Sequence, residues 1–328
     1  NKRFVKNMKI NTVYVENDIK NNTNTLNILQ RIEFNEIIYC NKHTEVFNPK
    51  NQNFRIQKLQ PSLILAKKHK NFILKVPKTF SIGFKKNYYF SHMLNCLYDC
   101  SYCFLQGMFY SANYLIYVNY EDFFYEIEKH ISKNIDTCFF SGYDCDSLVL
   151  ENVTTFLKIF LNFFKNLDNA FLEIRTKSTN IEILKKTPPL KNVIVAYSLN
   201  PDSIISDFEK KTPNLKRRLE SLKVLQDLGW KIGLRFDPLI DFMKNIKIYQ
   251  NFFRDVFGVL NANSIHSVTI GNFRMPNKFL ERIINLRPMD SLIFNKLNRE
   301  NKGNSNKIRH LCQRELCNFI SNKKLFFN

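Results

Sequence analysis

The chain has 328 residues, of which 44% are hydrophobic and 24% are charged. This composition supplies enough apolar material for one large or two ordinary cores, and it excludes a disordered, collagen-like or coiled-coil protein. The net charge of +20 indicates an anionic partner, and nucleic acid is the usual one for a basic soluble protein.

The beginning of the sequence shows no secretory signal pattern. Residues 1–7 are basic, but no apolar segment follows them. No run in the chain approaches the roughly 20 apolar residues of a membrane-spanning helix. We therefore expect a cytoplasmic protein without membrane contact. A reducing compartment favours free thiols or metal ligands over disulfides for the eight cysteines.

Three regions are predicted along the chain. Residues 1–84 mix short apolar alternations, as at 12–15, with a polar Asn-rich stretch, and are predicted to form an N-terminal α/β subdomain. Residues 85–290 alternate β-type and helix-type segments and are predicted to form the main domain. Residues 291–328 are predicted to be a C-terminal extension.

The main domain contains six candidate strands, each followed by a helical segment. The strands are at 88–93, 137–141, 170–176, 192–199, 231–236 and 265–270, and the helices at 120–133, 153–166, 181–186, 215–228, 248–257 and 278–286. Each parallel pairing needs a crossover connection, so this order predicts a partial (β/α)6 TIM-type barrel. Such a barrel binds its ligand at the C-terminal ends of the strands.

Three cysteines, Cys96, Cys100 and Cys103, form a C-x3-C-x2-C motif directly after the first candidate strand. Three thiolates at this spacing can each ligate one iron of a [4Fe-4S] cluster. The fourth iron then lacks a protein ligand, and the amino and carboxylate groups of S-adenosylmethionine suit it. The alternative is a zinc site, which needs four ligands, with His92 as the candidate for the fourth.

The cysteine motif on the first strand of a partial barrel resembles the radical S-adenosylmethionine superfamily. The segment 100–106, Cys-Ser-Tyr-Cys-Phe-Leu-Gln, is similar to spore photoproduct lyase and its relatives. The resemblance extends to 62–68 ahead of the motif and to four later segments at 142–148 with Glu151, 175–177, 197–200 and 235–240. It therefore spans nearly the whole chain.

The resemblance implies an enzyme that uses a [4Fe-4S] cluster and S-adenosylmethionine to generate a 5'-deoxyadenosyl radical, which abstracts a hydrogen atom from the substrate. The family's substrate is a thymine photoproduct, so DNA repair by a lyase is the leading expectation. A thymine dimer in duplex DNA must be rotated out of the base stack before an enzyme can repair it. The resemblance also implies an electron donor such as a flavodoxin or ferredoxin, and a monomer or weak dimer.

The resemblance further implies roles for residues at the strand ends. Lys177 and Ser198 would contact S-adenosylmethionine, with Ser141 and Gly142 beside its amino group, and Tyr102 is a candidate catalytic residue. A lysine can pair with a carboxylate or donate to hydroxyls. The alternative for Lys177 is an ordinary surface lysine. For Ser198 it is a hydroxyl that only satisfies the backbone.

Two positions depart from the family's pattern. Tyr143 stands where the family has the cysteine that returns hydrogen to the product, and Phe104 replaces a tyrosine thought to help return the radical. Cys145 lies two residues beyond Tyr143, and positions i and i+2 of an extended segment point to the same side. We therefore predict Cys145 as a substitute hydrogen donor. The alternative is that Cys145 only fills a small-residue position.

Two other functions stay open. One is radical chemistry on a different substrate, which the missing donor cysteine favours. The other is a non-catalytic, basic nucleic-acid-binding protein with a structural metal site. A candidate groove for a phosphate backbone consists of Arg274, Lys307, Arg309 and Arg314. Lysine outnumbers arginine 35 to 14, however, and the codon supply of an AT-rich genome would also produce such a charge.

Overall fold

The computed structural model describes residues 8–77, 80–240, 246–290 and 305–327. Its strands are β1 (Met8–Glu16), β2 (Ile32–Cys40), β3 (Leu63–Ala66), β4 (Leu74–Lys75), β5 (Lys86–Tyr89), β6 (Met93–Leu94), β7 (Asp99–Cys100), β8 (Tyr114–Tyr117), β9 (Thr137–Ser141), β10 (Ala170–Thr176), β11 (Val193–Ser198), β12 (Glu209–Lys210), β13 (Lys231–Leu239), β14 (Ile265–Asn272) and β15 (Leu325–Phe327). Its helices are α1 (Thr23–Leu29), α2 (Phe54–Gln57), α3 (Leu105–Met108), α4 (Tyr120–His130), α5 (Glu151–Thr154), α6 (Phe156–Phe164), α7 (Glu182–Lys186), α8 (Asp202–Phe208), α9 (Leu215–Asp227), α10 (Ile246–Val259), α11 (Asn277–Leu286) and α12 (Ser305–Leu316). Within the described ranges, no helix is both long and apolar enough to cross a bilayer.

The larger sheet contains eight strands in the order β15-β14-β13-β11-β10-β9-β5-β4. All neighbours from β5 to β15 pair in parallel, and only β4 is antiparallel. The six predicted strands are β5, β9, β10, β11, β13 and β14 in the predicted order, so the partial barrel is confirmed. Helices cover such a sheet and bury its strands on both faces, which is why β11 is buried at every position.

The smaller sheet has the strand order β2-β1-β3-β8-β6. Strands β1, β2 and β3 come from the predicted N-terminal subdomain, but β6 and β8 lie beyond its predicted boundary at residue 84. The chain leaves the barrel sheet after Tyr89 and joins the smaller sheet at Met93, so the first barrel strand is shorter than predicted. The cysteine loop, Cys96–Cys103, therefore lies between β6 and β8 along the chain. The domain boundaries themselves remain predictions.

The single helix predicted at 153–166 is two helices, because the chain breaks at Thr155. This residue has φ of 48° in the left-handed region, which ends α5. The buried Glu151 carboxylate then accepts hydrogen bonds from the backbone N–H groups of Leu157 and Lys158, at 2.7 and 3.1 Å. These bonds satisfy the first turn of α6, whose N–H groups have no helical partner. The apolar spacing of a helix continues through the break, so periodicity did not reveal it.

The C-terminal residues complete one edge of the barrel. Helix α12 packs against α10 and β14, and β15 pairs in parallel with β14. Residues 291–304, the first part of the predicted C-terminal extension, lie outside the described residues.

Candidate functional site

A cavity of about 530 Å³ opens at the C-terminal ends of the barrel strands. Its lining includes residues at or just beyond the ends of successive strands, namely Gly142, Lys177, Ser198, Asn272 and Phe273. This is where a parallel barrel places its ligand. The volume is in the range of about 300–1,000 Å³ that is typical of small-molecule and cofactor sites.

The three motif cysteines, Cys96, Cys100 and Cys103, all line this cavity. Strand β7 of the cysteine loop pairs with β12, opposing Cys100 to Glu209, which anchors the loop to the barrel. Burial raises the pKa of the Cys96 thiol to about 12 and also raises the pKa values of the other two thiols. Metal ligation requires thiolates, so only a bound cationic group would hold these sulfurs ionised at neutral pH.

The zinc alternative is not supported by the position of its fourth candidate ligand. Among the residues that the structure describes, no three His, Cys, Asp or Glu side chains converge on one metal position. A zinc ion needs its sulfur ligands at about 2.3 Å. His92, the fourth ligand of the zinc alternative, is stacked on Phe156 with ring centroids 3.5 Å apart and is absent from the cavity lining. The zinc alternative therefore lacks its fourth ligand.

Lys177 and Ser198 lie on the cavity wall beside the cysteines. The Asp146 carboxylate accepts the backbone N–H of Lys177 at 2.6 Å and the hydroxyl of Thr176 at 2.7 Å, which orients the end of β10. Burial opposes the charge on Lys177, but the nearby Glu209 carboxylate outweighs it and raises the pKa of the ammonium group. Lys177 therefore offers the cavity a stable positive charge that suits a carboxylate.

The structure brings Gly142 to the cavity but not Ser141. Gly142 has φ of +79°, and a Cβ there would lie 2.5 Å from Ser147 Oγ and 2.8 Å from the Arg175 carbonyl oxygen, so only glycine fits. The Ser141 hydroxyl is hydrogen-bonded to Ser147 Oγ at 2.8 Å and to the Glu173 carbonyl oxygen at 3.0 Å. Successive residues of a strand point to opposite sides, and Ser141 therefore supports the wall from behind.

Tyr102 lies between the cavity and a buried polar network. It contributes to the cavity lining, while its hydroxyl donates to the Glu209 carboxylate. Glu209 also accepts hydrogen bonds from Asn200 and Arg218. Burial disfavours a charged Glu209, but Lys177 and Arg218 outweigh burial and lower its pKa. The Tyr102 hydroxyl is therefore held by an ionised carboxylate.

The two departures from the family's pattern, Phe104 and Tyr143, meet on another part of the wall. The Tyr143 ring lies 4.4 Å from that of Tyr89 and 5.8 Å from that of Phe104, centroid to centroid. The prediction for Cys145 assumed a strand-like segment, but residues 142–150 contain no strand. Cys145 nevertheless lines the same cavity as Tyr143. Burial raises the pKa of Cys145 well above its usual value, so its thiol keeps the hydrogen that a donor must supply.

The candidate basic groove is divided between two places. Arg274 lines the cavity, with its guanidinium 5.3 Å from the centre of the Phe80 ring. Lys307, Arg309 and Arg314 belong to α12, which packs against α10 and β14 and does not contribute to the described cavity lining. Only Arg274 of this group is therefore placed to meet a phosphate at the cavity.

Sequence reasoning assigned no role to Asp146, Glu209 or Tyr89. Asp146 belongs to a segment that carried the family resemblance, so its position was a usable signal. Glu209 lies on a two-residue strand more than 100 positions from Tyr102, and no local pattern connects the two. Of the remaining cysteines, Cys40, Cys138 and Cys312 are buried and Cys317 is exposed.

Comparisons with known proteins identify the family and the fold of the chain. The family model for spore photoproduct lyase matches residues 9–318. The spore photoproduct lyase of Geobacillus sp. (strain Y412MC61) is 26% identical over 147 residues, which are 44% of this chain and 43% of the relative. The corresponding protein of Bacillus subtilis (strain 168) is 24% identical over 177 residues, 53% of this chain and 52% of the relative. The chain thus aligns with about half the length of these relatives.

Two solved structures share the fold. A spore photoproduct lyase variant with bound AdoMet and dinucleoside spore photoproduct has a TM-score of 0.80 at 17% identity, covering 98% of this chain and 99% of that chain. Spore photoproduct lyase complexed with dinucleoside spore photoproduct has a TM-score of 0.78 at 17% identity, covering 97% and 99%. Because the family model spans nearly all of the sequence, the chain belongs to the spore photoproduct lyase family.

Proposed function

We propose that the protein is a radical S-adenosylmethionine lyase that acts on a thymine photoproduct in DNA. The observation that carries this proposal is that Cys96, Cys100 and Cys103 line the same strand-end cavity as Lys177. A solved protein of the same fold holds AdoMet and dinucleoside spore photoproduct. When bound, a [4Fe-4S] cluster and S-adenosylmethionine would supply a 5'-deoxyadenosyl radical that abstracts a hydrogen atom from the substrate.

The residues of the cavity divide this work. Cys96, Cys100 and Cys103 would hold the cluster through their sulfur atoms. The Lys177 ammonium would pair with the carboxylate of S-adenosylmethionine, and Ser198 and Gly142 would border the space around it. Ser141, behind the wall, and Tyr102, held by Glu209, keep this part of the cavity in place.

Cys145 is the proposed hydrogen donor to the product radical. It lines the cavity as a neutral thiol, and homolysis of its S–H bond transfers a hydrogen atom and leaves a sulfur radical on the protein. Tyr143 stands at the family's donor position and has no thiol to supply. The donor function has thus moved by two residues along one segment of the chain.

Radical chemistry on a different substrate is the second candidate function. The aromatic contact between Phe104 and Tyr143 occupies part of the cavity wall at which the family's pattern has a tyrosine and a cysteine. This wall therefore differs from the family's pattern in shape and in its hydrogen-donating groups. Those two properties decide which substrate the cavity accepts. The partners proposed for either function are nucleic acid and a small electron-transfer protein of the flavodoxin or ferredoxin type, in the cytoplasm, with the protein a monomer or weak dimer.

The test is an anaerobic incubation of the reconstituted, reduced protein with S-adenosylmethionine and an oligonucleotide that contains the spore photoproduct. Mass spectrometry then measures 5'-deoxyadenosine and restored thymine, and we expect both. Formation of 5'-deoxyadenosine without restored thymine would support the second candidate. Cys100→Ala is expected to abolish both products, whereas Cys317→Ala, which removes an exposed thiol on the far C-terminal segment, is the matched control. A wild-type protein that binds no iron would overturn the proposal.

A further inference from the structure

Lys58 is a buried cation behind the cysteine loop. Lys58 directly follows α2 and is only 4% exposed. The Nζ atom donates a hydrogen bond to the carbonyl oxygen of Cys96 and lies 5.2 Å from the centre of the Tyr114 ring. Burying an ammonium group is costly unless a negative charge lies nearby. The surroundings of Lys58 therefore need a source of such charge.

No carboxylate in the described parts of the chain lies within 4.0 Å of Lys58 Nζ. Asp99, inside the cysteine loop, is held by Arg55 at 2.6 and 2.9 Å and by Arg287 at 2.7 Å. Arg287 also reaches Asp290 at 3.5 Å, at the solvent edge. Both carboxylates, Asp99 and Asp290, therefore already bind arginine. Asp99 also favours the ammonium form of Lys58 electrostatically, but its carboxylate oxygens are bound by the two arginines rather than by Lys58.

The thiols of Cys96 and Cys103 also favour the ammonium form of Lys58, and unlike Asp99 they bind no arginine of the described ranges. A small cavity of about 20 Å³ is lined by Lys58 together with Cys96, Cys100 and Cys103. The same three cysteines line the large cavity, but Lys58 does not. Lys58 therefore faces the thiols from the side away from the large cavity.

We propose that Lys58 is a positioning residue that raises the reduction potential of the cluster held by the cysteine loop. This inference rests on the proposed function. Three thiolates give such a cluster a net negative charge, and one-electron reduction by an external reductant adds another. Cluster potentials depend on net charge and on the groups around the ligands. A fixed ammonium on one side stabilises the reduced state more than the oxidised state.

The test is a redox titration of the reconstituted full chain with dithionite, followed by electron paramagnetic resonance without S-adenosylmethionine. We expect Lys58→Met to lower the one-electron reduction constant at least about tenfold, which is about 59 mV. Lys58→Arg keeps the charge and should stay close to wild type. Lys68→Met is the matched control, because Lys68 also lies over a tyrosine, 4.5 Å from the Tyr117 ring centre, but lines neither cavity.

Each outcome separates this inference from the proposed function. A Lys58→Met protein with a full complement of iron and the wild-type potential would overturn the inference and leave the enzyme proposal intact. A wild-type protein without a cluster would overturn the proposed function itself. If Lys58→Met does not retain iron, Lys58→Gln is measured instead, because the amide can still donate to the Cys96 carbonyl oxygen. A lowered potential in that variant supports the role of the charge, and an unchanged one contradicts it.

Discussion

The cysteine wall of the large cavity, formed by Cys96, Cys100 and Cys103, lies on a loop that follows β6 of the smaller sheet and pairs through β7 with β12. The aromatic wall, formed by Tyr89, Phe104 and Tyr143, consists of rings packed on one another. The first wall keeps the spacing that a cluster needs, whereas the second departs from the family's pattern at Phe104 and Tyr143. Cluster ligation constrains the ligand residues strongly, because each thiolate would bind its own iron. A substrate wall requires only shape and a donor within reach, so it can change.

The largest expected effect tests whether the two walls act separately. Cys100→Ala should lose bound iron and all 5'-deoxyadenosine formation, because a second iron of the cluster would then have no protein ligand. Cys145→Ala should keep the wild-type iron content, since Cys145 is assigned to hydrogen transfer. Iron analysis and visible absorption of the anaerobic proteins measure the difference. Loss of iron from Cys145→Ala would show that the two walls share the cluster site.

The next prediction concerns protein stability and the buried carboxyl group of Glu151, in the segment that follows Tyr143 of the aromatic wall. Burial raises the pKa of Glu151 to about 7 from 4.5. The native state then binds the proton more tightly than the unfolded state does. The free energy of unfolding should therefore fall by about 3 kcal/mol as pH rises from 4.5 to 7. Urea denaturation at both pH values should show a smaller fall for Glu151→Gln, and an identical pH dependence would contradict the assignment.

A smaller effect is expected where S-adenosylmethionine meets the cysteine wall. Lys177→Met removes the proposed partner of the cofactor carboxylate and should weaken cofactor binding by about 10- to 100-fold, the usual contribution of a charged hydrogen bond. Calorimetric titration of the reconstituted protein measures the change. Lys185→Met is the control, because Lys185 is exposed and its partner is Glu182, at 2.8 Å. If the two variants bind S-adenosylmethionine with equal affinity, Lys177 is not part of the cofactor site.

The smallest expected effect concerns the aromatic wall and the ratio of restored thymine to 5'-deoxyadenosine. Cys145→Ala should reduce restored thymine a few-fold for each 5'-deoxyadenosine formed, because the product radical loses its donor. Tyr143→Cys should raise the same ratio, since it places a thiol at the family's donor position. Mass spectrometry of the products gives both ratios. Clean hydrogen return by Cys145→Ala would eliminate Cys145 as the donor.

The sequence was sufficient where the physical signal is local. Strands of a parallel sheet are buried on both faces, so β9, β10 and β11 appear as short apolar runs, and their order implies the barrel. The cysteine motif was equally readable, because its three residues lie within eight positions and their spacing is itself the ligand pattern. Fold class and candidate cluster ligands therefore followed from the sequence alone.

Tertiary structure decided the features that depend on distant contacts. Lys58 meets the Cys96 carbonyl oxygen across 38 positions, and Glu209 meets Tyr102 across 107. The two-residue strand β6 joins the smaller sheet only by pairing with β8. A short strand or a single charged residue carries no periodic signal, because its partner is chosen by packing rather than by its neighbours in sequence. The sequence by itself determined the barrel and the thiols that it presents, while only the folded chain determined which charges and rings surround them.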